Sequence, residues 1–254
     1  MKIEHIENNS RIVNVVPVMK SEEFKKSSYY NYISANSLAD FLILEDSSKD
    51  FCFSKNMNSG IQDAIDRGYN YIILSTDNLE FSNRNAIHQT LKSLKPNRYY
   101  VCQTINSHRN VQNITTSPIK FLINGVLTGL PFYTMRIYLG MKKEHVEGVY
   151  AYRSAGKGFG NIMPFSVFDS RILYRFPFNE KIKNSLEDTW LSYQLWKAKV
   201  KMEVIGSDVI HKGNQSFKKI NGRHKLSGYY NFEDWKNNLK VIGENIKMKQ
   251  PEVK

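Results

Sequence analysis

Short apolar runs that alternate with amphipathic stretches constrain the fold of this chain more than any other feature of its sequence. Four runs have the length and the β-branched and aromatic content of buried strands. They occupy residues 11–18, 40–44, 71–74 and 99–104. Helical periodicity occupies the intervening residues 21–37, 58–67 and 83–94. Strands and helices alternating at this spacing predict an α/β fold with a mostly parallel central sheet and flanking helices.

Acidic residues follow two of the predicted strands. Glu45 and Asp46 come directly after the second strand, and Asp77 follows shortly after the third. Right-handed crossovers bring the ends of parallel strands to one edge of the sheet, where open α/β sheets bind their ligands. Two successive strands that end in carboxylates therefore predict a cation site at this edge.

The second half of the chain has a less regular pattern. Helices are predicted over residues 130–141, 187–199 and 232–247, strands over 148–153 and 202–210, and a Gly-rich loop over 154–161. No repeat or low-complexity linker interrupts the chain. We therefore expect a single domain over residues 1–228, built from halves 1–127 and 128–228, with a C-terminal helical extension over 229–254.

Several motifs occur along the chain in an order that resembles a known enzyme family. The strand end LILEDSS at 42–48 is followed by NSGI at 58–61, the run GYNYIIL at 68–74 and then STDN at 75–78. An x-E-D triplet ends at Asp188, and His211 follows the last predicted strand. This ordered set resembles the GT-A glycosyltransferases, whose fold is Rossmann-like, and within them family 2. The resemblance covers roughly residues 11–212.

The resemblance implies roles for individual residues. Asp188 would be the general base, with Glu187 beside it contacting the acceptor, and Asp77 with His211 would hold Mg²⁺ or Mn²⁺. The implied donor-binding residues are Pro17, Val18, Glu45, Asp46, Asn58, Gly60, Ser75 and Asp77. Arg153 and Lys157 in the Gly-rich region are weaker candidates for contacts with phosphate or acceptor. The first acid of the family's D-x-D motif is replaced here by Ser75.

The resemblance also implies a reaction. A sugar would pass from a nucleotide-diphosphate sugar to a hydroxyl group of a glycan, a lipid-linked acceptor or a protein. The reaction would invert the anomeric centre in a single displacement, assisted by the divalent metal. Met57 stands where many relatives carry an Arg that contacts the base, and Glu45 stands where Asp is commoner. Together with Ser75, these departures leave the metal affinity and the identity of the nucleotide open.

The net charge of +12 is concentrated in the second half of the chain. Residues 1–127 carry an excess of +2, whereas residues 128–254 carry +10. This distribution predicts an anionic partner such as a phosphorylated acceptor or a membrane surface. The C-terminal aromatic residues would pack that segment onto the core, with contact to an anionic membrane as the alternative. They are Tyr229, Tyr230, Phe232 and Trp235.

The cysteine content and the hydropathy of the chain indicate the cellular compartment in which the protein is expected. Cys52 and Cys102 form no C-x-x-C pattern, so neither a disulfide framework nor a zinc finger is expected. The N-terminus lacks the apolar core of a signal peptide, and no run of 18 apolar residues occurs. We expect a cytoplasmic protein, and the alternative is a protein bound peripherally to the inner surface of the membrane.

The sequence is also compatible with three other functions. A nucleic-acid-binding protein would explain the basic charge and the interleaved aromatic residues, but not the acids gathered at the strand ends, and we consider nucleic acid unlikely as a partner. A nucleotidyltransferase would carry a Gly-rich basic signature near the first strand, where this chain reads VVPVMKSEEF. A degenerate glycosyltransferase fold used only for binding would explain the loss of an acid at Ser75.

Overall fold

A computed structural model describes most of the chain. The described residues are 1–48, 51–77, 79–105, 114–115, 159–160, 162–182, 187–211, 237–238 and 240–241. The strands are β1 (Lys2–Ile6), β2 (Ile12–Val18), β3 (Asp40–Glu45), β4 (Tyr71–Ser75), β5 (Leu79–Phe81), β6 (Arg98–Ile105), β7 (Ile114–Thr115), β8 (Phe159–Gly160), β9 (Phe165–Asp169) and β10 (Lys201–His211). The helices are α1 (Ser21–Phe24), α2 (Ser28–Ala35), α3 (Phe53–Asp66), α4 (Arg84–Lys92), α5 (Ser170–Arg175) and α6 (Glu187–Lys197).

Eight of these strands form one sheet in the order β1-β3-β2-β4-β9-β6-β10-β5. Strands β3, β2, β4, β6 and β10 run in one direction, whereas β1, β9 and β5 run antiparallel to their neighbours. The four strands expected in the first half are all present, and the mostly parallel sheet is confirmed. The antiparallel β9 lies between β4 and β6, where the sequence pattern predicted no strand.

The central strands are buried on both faces, which explains their nearly continuous apolar sequences. Alternate residues of β2 and β3 enter two separate clusters, one on each face of the sheet. Val15 and Leu44 belong to the cluster under α3, whereas Val16 and Ile43 belong to the cluster on the opposite face. The sheet therefore sits between two apolar layers, and its strand ends are held in fixed positions.

Helix α3 begins at Phe53, five residues before the predicted start at residue 58. Its Met57, Ile61 and Ala64 form a helical stripe that is buried in the apolar cluster under α3. The helix is followed by Gly68 in the left-handed region, with φ of 81°, as the sequence predicted. The segment expected as one helix over 21–37 is instead divided into α1 and α2, because Ser27 caps a new helix by accepting a hydrogen bond from the Tyr30 N–H.

Gly60 allows α3 to approach the sheet closely. A Cβ atom at this position would lie 2.7 Å from Val15 Cγ1 and 2.9 Å from both Leu44 Cδ atoms. We expect Gly60→Ala to lower the free energy of unfolding by about 1–2 kcal/mol, because overpacking outweighs the gain in helix propensity. Urea unfolding would measure this loss. The exposed Gln62→Ala on the same helix should change the stability by less than about 0.5 kcal/mol. A Gly60→Ala variant as stable as the wild type would contradict this packing.

Candidate functional site

The site is built on the carboxyl edge of the sheet. At this edge β2 and β3 end side by side, with Val18 paired to Glu45. Strand β4 ends with Ser75 opposite Phe165, and β10 ends with His211 opposite Leu79. The topology therefore brings the predicted residues after β2, β3, β4 and β10 to a common edge.

Strands β3 and β4, which the acids Asp46 and Asp77 follow, are consecutive in the chain but are not adjacent in the sheet. Strand β2 lies between β3 and β4, so the ends of these two strands are two strand spacings, or about 10 Å, apart. Asp46 and Asp77 therefore occupy separate parts of the edge. A ligand that contacts both parts must extend across the end of β2, where Pro17 and Val18 lie.

Asp46 is fixed in its ionised form. Its main-chain N–H donates to the Val18 carbonyl at 3.1 Å, which ties the turn to β2. Its carboxylate accepts hydrogen bonds from Asn56 Nδ2 at 2.8 Å and from the Ser48 N–H at 3.0 Å. Burial acts to raise the pKa of Asp46, but the hydrogen bonds from Asn56 and Ser48 outweigh it and lower the pKa. Asp46 is thus a preoriented anion and acceptor at the end of β3.

Glu45 and Ser75 make contacts inside the protein. The Ser21 N–H donates to Glu45 Oε2 at 3.4 Å, so this carboxylate reaches the start of α1. Ser75 is fully buried, and its hydroxyl donates to Asn14 Oδ1 at 2.9 Å. Asn14 Nδ2 in turn donates to the Tyr29 hydroxyl at 2.7 Å. Donor contacts by Glu45 and Ser75 stay predictions beside these structural roles.

Asn58 and Gly60 both hold α3 in place. Asn58 Nδ2 donates to the Phe178 carbonyl at 3.0 Å, and the Phe178 N–H donates back to Asn58 Oδ1 at 2.9 Å. The Glu180 carboxylate also accepts from Asn58 Nδ2 at 3.0 Å. The structure thus connects α3 to the segment after α5, and Gly60 faces the sheet. A donor contact by either residue stays a prediction.

Asp77 lies half-buried just beyond the end of β4. The N–H of the preceding Thr76 donates to the Pro164 carbonyl at 3.0 Å. Within the part of the chain that the structure describes, the buried Thr76 Oγ1 has no hydrogen-bond partner. A water molecule or a polar ligand bound at this point of the edge would satisfy this oxygen.

His211 reaches the same edge through an irregular strand. Between Ile205 and Asp208 the pairing of β10 with β6 shifts register, as a β-bulge does. The bulge is held to the turn after β5, because the Ser82 N–H donates to the Asp208 carbonyl at 2.9 Å and the Asp208 N–H donates to Ser82 Oγ at 2.9 Å. The backbone of His211 then pairs with Leu79, two residues after Asp77. The His211 side chain lies outside the described atoms, and its metal-binding role stays a prediction.

Helix α6 presents Glu187 and Asp188 at its first turn, and the helix predicted over 187–199 is confirmed as Glu187–Lys197. The chain leaves α6 at the amino edge, since β10 begins with Lys201 opposite Arg98. The first turn of α6 therefore points toward the carboxyl edge. Asp188 is half-buried there, and acids at this end of a helix are stabilised by the helix dipole.

Glu187 is buried, with 8% of its surface exposed. Burial, and secondarily the charge of Asp188, raises the pKa of Glu187 to about 8. Glu187 therefore carries a proton at neutral pH. No described residue provides a hydrogen-bond partner for its Oε2 atom.

Residues 162–164, called the bridge below, connect α6 to the end of β4. The Ile162 N–H donates to Ser192 Oγ at 3.2 Å, and the Ser192 hydroxyl donates to the Asp188 carbonyl at 2.7 Å. At the other end of the bridge the Pro164 carbonyl accepts from Thr76, the residue before Asp77. The bridge thus places Asp77 and Asp188 at two ends of one short chain of contacts.

Some predicted features lie outside the described residues. They are the helix over 130–141, the strand over 148–153, Arg153, Lys157 and most of the C-terminal extension. Within the described ranges, no group of three or more His, Cys, Asp or Glu side chains could hold a metal ion. No helix in those ranges is both long enough and apolar enough to span a membrane.

Sequence reasoning missed three residues that shape the site: Asn56, Thr76 and Ser192. Asn56 precedes the predicted start of the helix at residue 58 and was given no role, although it binds Asp46. Ser192 lies four residues after Asp188, and this helical spacing was the available signal. Thr76 lies next to Asp77, but a Thr after a strand is common in turns and gave no signal.

Comparisons with known proteins bear on the fold of the chain. No protein-family model matches the sequence, and no curated protein matches it. Among solved structures, the chain is similar to the catalytic domain of Drosophila beta1,4-galactosyltransferase 7, which was solved in complex with xylobiose. The TM-score is 0.51 and the sequence identity is 12%. The match covers 89% of this chain and 78% of that chain. A mannosyltransferase from Pyrobaculum calidifontis, in complex with GDP-Man and Mn²⁺, gives a TM-score of 0.43 and 10% identity over 93% of this chain and 70% of that one. The first likeness confirms the predicted GT-A fold.

Proposed function

We propose that this protein is a glycosyltransferase that moves a sugar from a nucleotide-diphosphate sugar to a hydroxyl group. The observation that carries the proposal is the bridge, which ties the residue before Asp77 to the helix turn of Asp188. This connection supports a donor-side role for Asp77 and a role as general base for Asp188 at one edge of the sheet. The galactosyltransferase of similar fold, solved with the disaccharide xylobiose, supports a glycan as acceptor class.

The donor would extend along the edge from β3 to β4. Asp46 is ionised and held by Asn56 at the β3 end, where it can accept hydrogen bonds from a base or ribose. Pro17 and Val18 lie between, at the end of β2. Asp77 at the β4 end would lie beside the diphosphate. The separation of about 10 Å between these strand ends suits a nucleotide diphosphate rather than a single small anion.

The residues near Asp77 fit a divalent cation. Mg²⁺ in nucleotide sites is held by one or two carboxylates together with substrate phosphates and water, so no cluster of three acidic or His side chains is required. Asp77 supplies one carboxylate, and His211 reaches the same edge by its backbone pairing. We propose Asp77, with His211, as the residues that hold Mg²⁺ or Mn²⁺. The metal would neutralise charge on the diphosphate as it leaves.

Asp188 would act as general base. As the acceptor oxygen bonds to the anomeric carbon, its proton passes to the Asp188 carboxylate, while the bond from that carbon to the diphosphate oxygen breaks. Attack from the face opposite the leaving group inverts the anomeric centre. Glu187, next to Asp188, would contact the acceptor in its protonated form.

Titration with nucleotide sugars tests the donor site. We expect one of UDP-glucose, UDP-galactose, UDP-N-acetylglucosamine and GDP-mannose to bind in the presence of Mn²⁺ and to lose affinity when the metal is chelated. Asp77→Ala should weaken this binding by at least about tenfold, because it removes a ligand rather than an outer contact. Isothermal calorimetry measures both effects.

The matched control is Asp66→Ala, which removes an exposed carboxylate from α3 and should leave donor binding unchanged. If no nucleotide sugar binds with or without metal, the glycosyltransferase proposal is wrong. Steep, salt-dependent binding of unrelated oligonucleotides instead would favour the nucleic-acid alternative.

A further inference from the structure

We propose that Ser192 is a positioning residue: through the bridge it sets the place of the base Asp188 relative to Asp77. The inference rests on the proposed function and adds a residue that touches neither donor nor acceptor. Its role would be to determine how fast bound substrates react rather than how tightly the donor binds.

Ser192 is fully buried, and both hydrogen-bonding functions of its hydroxyl are used. Its oxygen accepts from the Ile162 N–H, and its proton is donated to the carbonyl of Asp188, one helical turn earlier. A Ser hydroxyl in a helix often bonds back to the preceding turn in this way, but the additional bond to Ile162 is made between different segments. The turn that carries Asp188 is therefore attached to the bridge.

The bridge is fixed at its other end to the sheet. Pro164 accepts from the Thr76 N–H, and the next residue, Phe165, pairs with Ser75 as the first residue of β9. Ile162 is also fully buried in the same apolar cluster as Leu191 of α6. Polar bonds and apolar packing thus hold the bridge between β4 and α6 at once.

This arrangement matters because a base must lie within hydrogen-bond reach of the attacking hydroxyl. A misplacement of about 1 Å can reduce the rate by about 100-fold without removing any reacting group. Asp77 follows the strand end and Asp188 belongs to a helix that approaches from another part of the chain. The Ser192 hydroxyl connects the two elements through the bridge, so its loss would leave the helix itself intact but remove the bond that ties the turn of Asp188 to Ile162.

The test is Ser192→Ala, assayed by release of nucleoside diphosphate from the nucleotide sugar that the wild type binds. Water and xylobiose serve separately as acceptors. We expect kcat to fall about 10- to 100-fold with both acceptors, while the donor KM and the calorimetric donor Kd stay within about twofold of the wild type. A change in kcat without a change in donor affinity distinguishes positioning from a general loss of structure.

Ser54→Ala is the matched control. Ser54 is also fully buried, its hydroxyl donates to the Ile182 carbonyl at 3.1 Å, and it lies outside the bridge. Its replacement should lower the Tm by a similar amount but leave kcat unchanged. Should Ser192→Ala fail to fold, Ser192→Cys keeps a side chain of similar shape with weaker hydrogen bonds, and a smaller fall in kcat is expected.

The outcomes separate this inference from the proposed function. A Ser192→Ala enzyme with the kcat of the wild type, in a protein that binds donor and releases nucleoside diphosphate, overturns the positioning role and leaves the glycosyltransferase standing. Equal losses of kcat in Ser192→Ala and Ser54→Ala also overturn it, since both would then report stability alone. A wild type that binds no nucleotide sugar rejects the proposed function itself.

Discussion

Replacing Asp188 by Asn should lower kcat by about 10²- to 10⁴-fold while the donor still binds. The amide keeps the size of the side chain but cannot accept the acceptor proton, and positioned general bases contribute rate factors of this order. Donor binding is expected to stay within about twofold, because Asp46 and Asp77 lie on strand ends rather than on α6. Steady-state kinetics together with calorimetry of the donor would measure the two quantities on the same preparation.

A surface acid provides the control for this substitution. Asp63 of α3 forms a surface ion pair with Arg67, the residue that follows the helix, and Asp63→Asn should leave kcat unchanged and cost less than about 1 kcal/mol of stability. An Asp188→Asn enzyme that retains most of its kcat would contradict the assignment of the base. Loss of donor affinity in Asp188→Asn would instead place Asp188 in the donor site.

The parallel half of the sheet could be predicted because its information is local. Strands β2, β3, β4 and β6 are runs of apolar, often β-branched or aromatic residues that end at polar turns, so length and composition identify them. Buried on both faces, they need few polar positions. The edge occupied by their carboxyl ends then follows from the right-handed crossovers, and this is why Asp46 and Asp77 could be placed there from sequence.

Strand β9 could not be predicted because its place depends on distant partners. It pairs with β4 and β6 through contacts such as Leu74 with Ser166, which are separated by about ninety residues of sequence. In Phe165–Asp169 the apolar pattern is interrupted by Ser166 and Asp169, which are polar although buried, so composition did not identify a central strand. The start of α3 was missed for a related reason, since Asn56 is polar and its burial depends on its bond to Asp46.

The protonation state of Glu187 is also a tertiary property. From sequence, a Glu-Asp pair at a helix start suggests two anions favoured by the helix dipole. In the folded chain the Glu187 side chain is enclosed, and the Asp188 charge beside it disfavours a second negative charge. The fold therefore keeps Glu187 protonated at neutral pH beside Asp188, the candidate base.

Folding stability should consequently fall as the pH rises from about 5 to about 8. In this range the folded protein keeps the Glu187 proton, whereas the unfolded chain, with an ordinary glutamate pKa of 4.5, has released it. The stabilisation is complete below the unfolded pKa and is lost as the pH rises through the folded pKa. Each pH unit costs about 1.4 kcal/mol, so the loss from Glu187 alone is on the order of 4 kcal/mol.

Glu187→Gln should remove this dependence, because the amide is neutral at every pH and resembles the protonated acid in shape. We expect the stability of the variant relative to the wild type to increase by several kcal/mol between pH 5 and pH 8. Urea unfolding at a series of pH values measures the difference, in which the titration of all other groups cancels.

Asp188→Asn offers an independent check on the cause. Removing the neighbouring negative charge leaves burial in place but eliminates the second contribution, so the pKa of Glu187 should decrease while staying above the ordinary value. The stability loss should then end at a lower pH than in the wild type. If Glu187→Gln instead parallels the wild type at every pH, Glu187 is ionised in the folded protein, and the neutral partner of the base must be sought elsewhere.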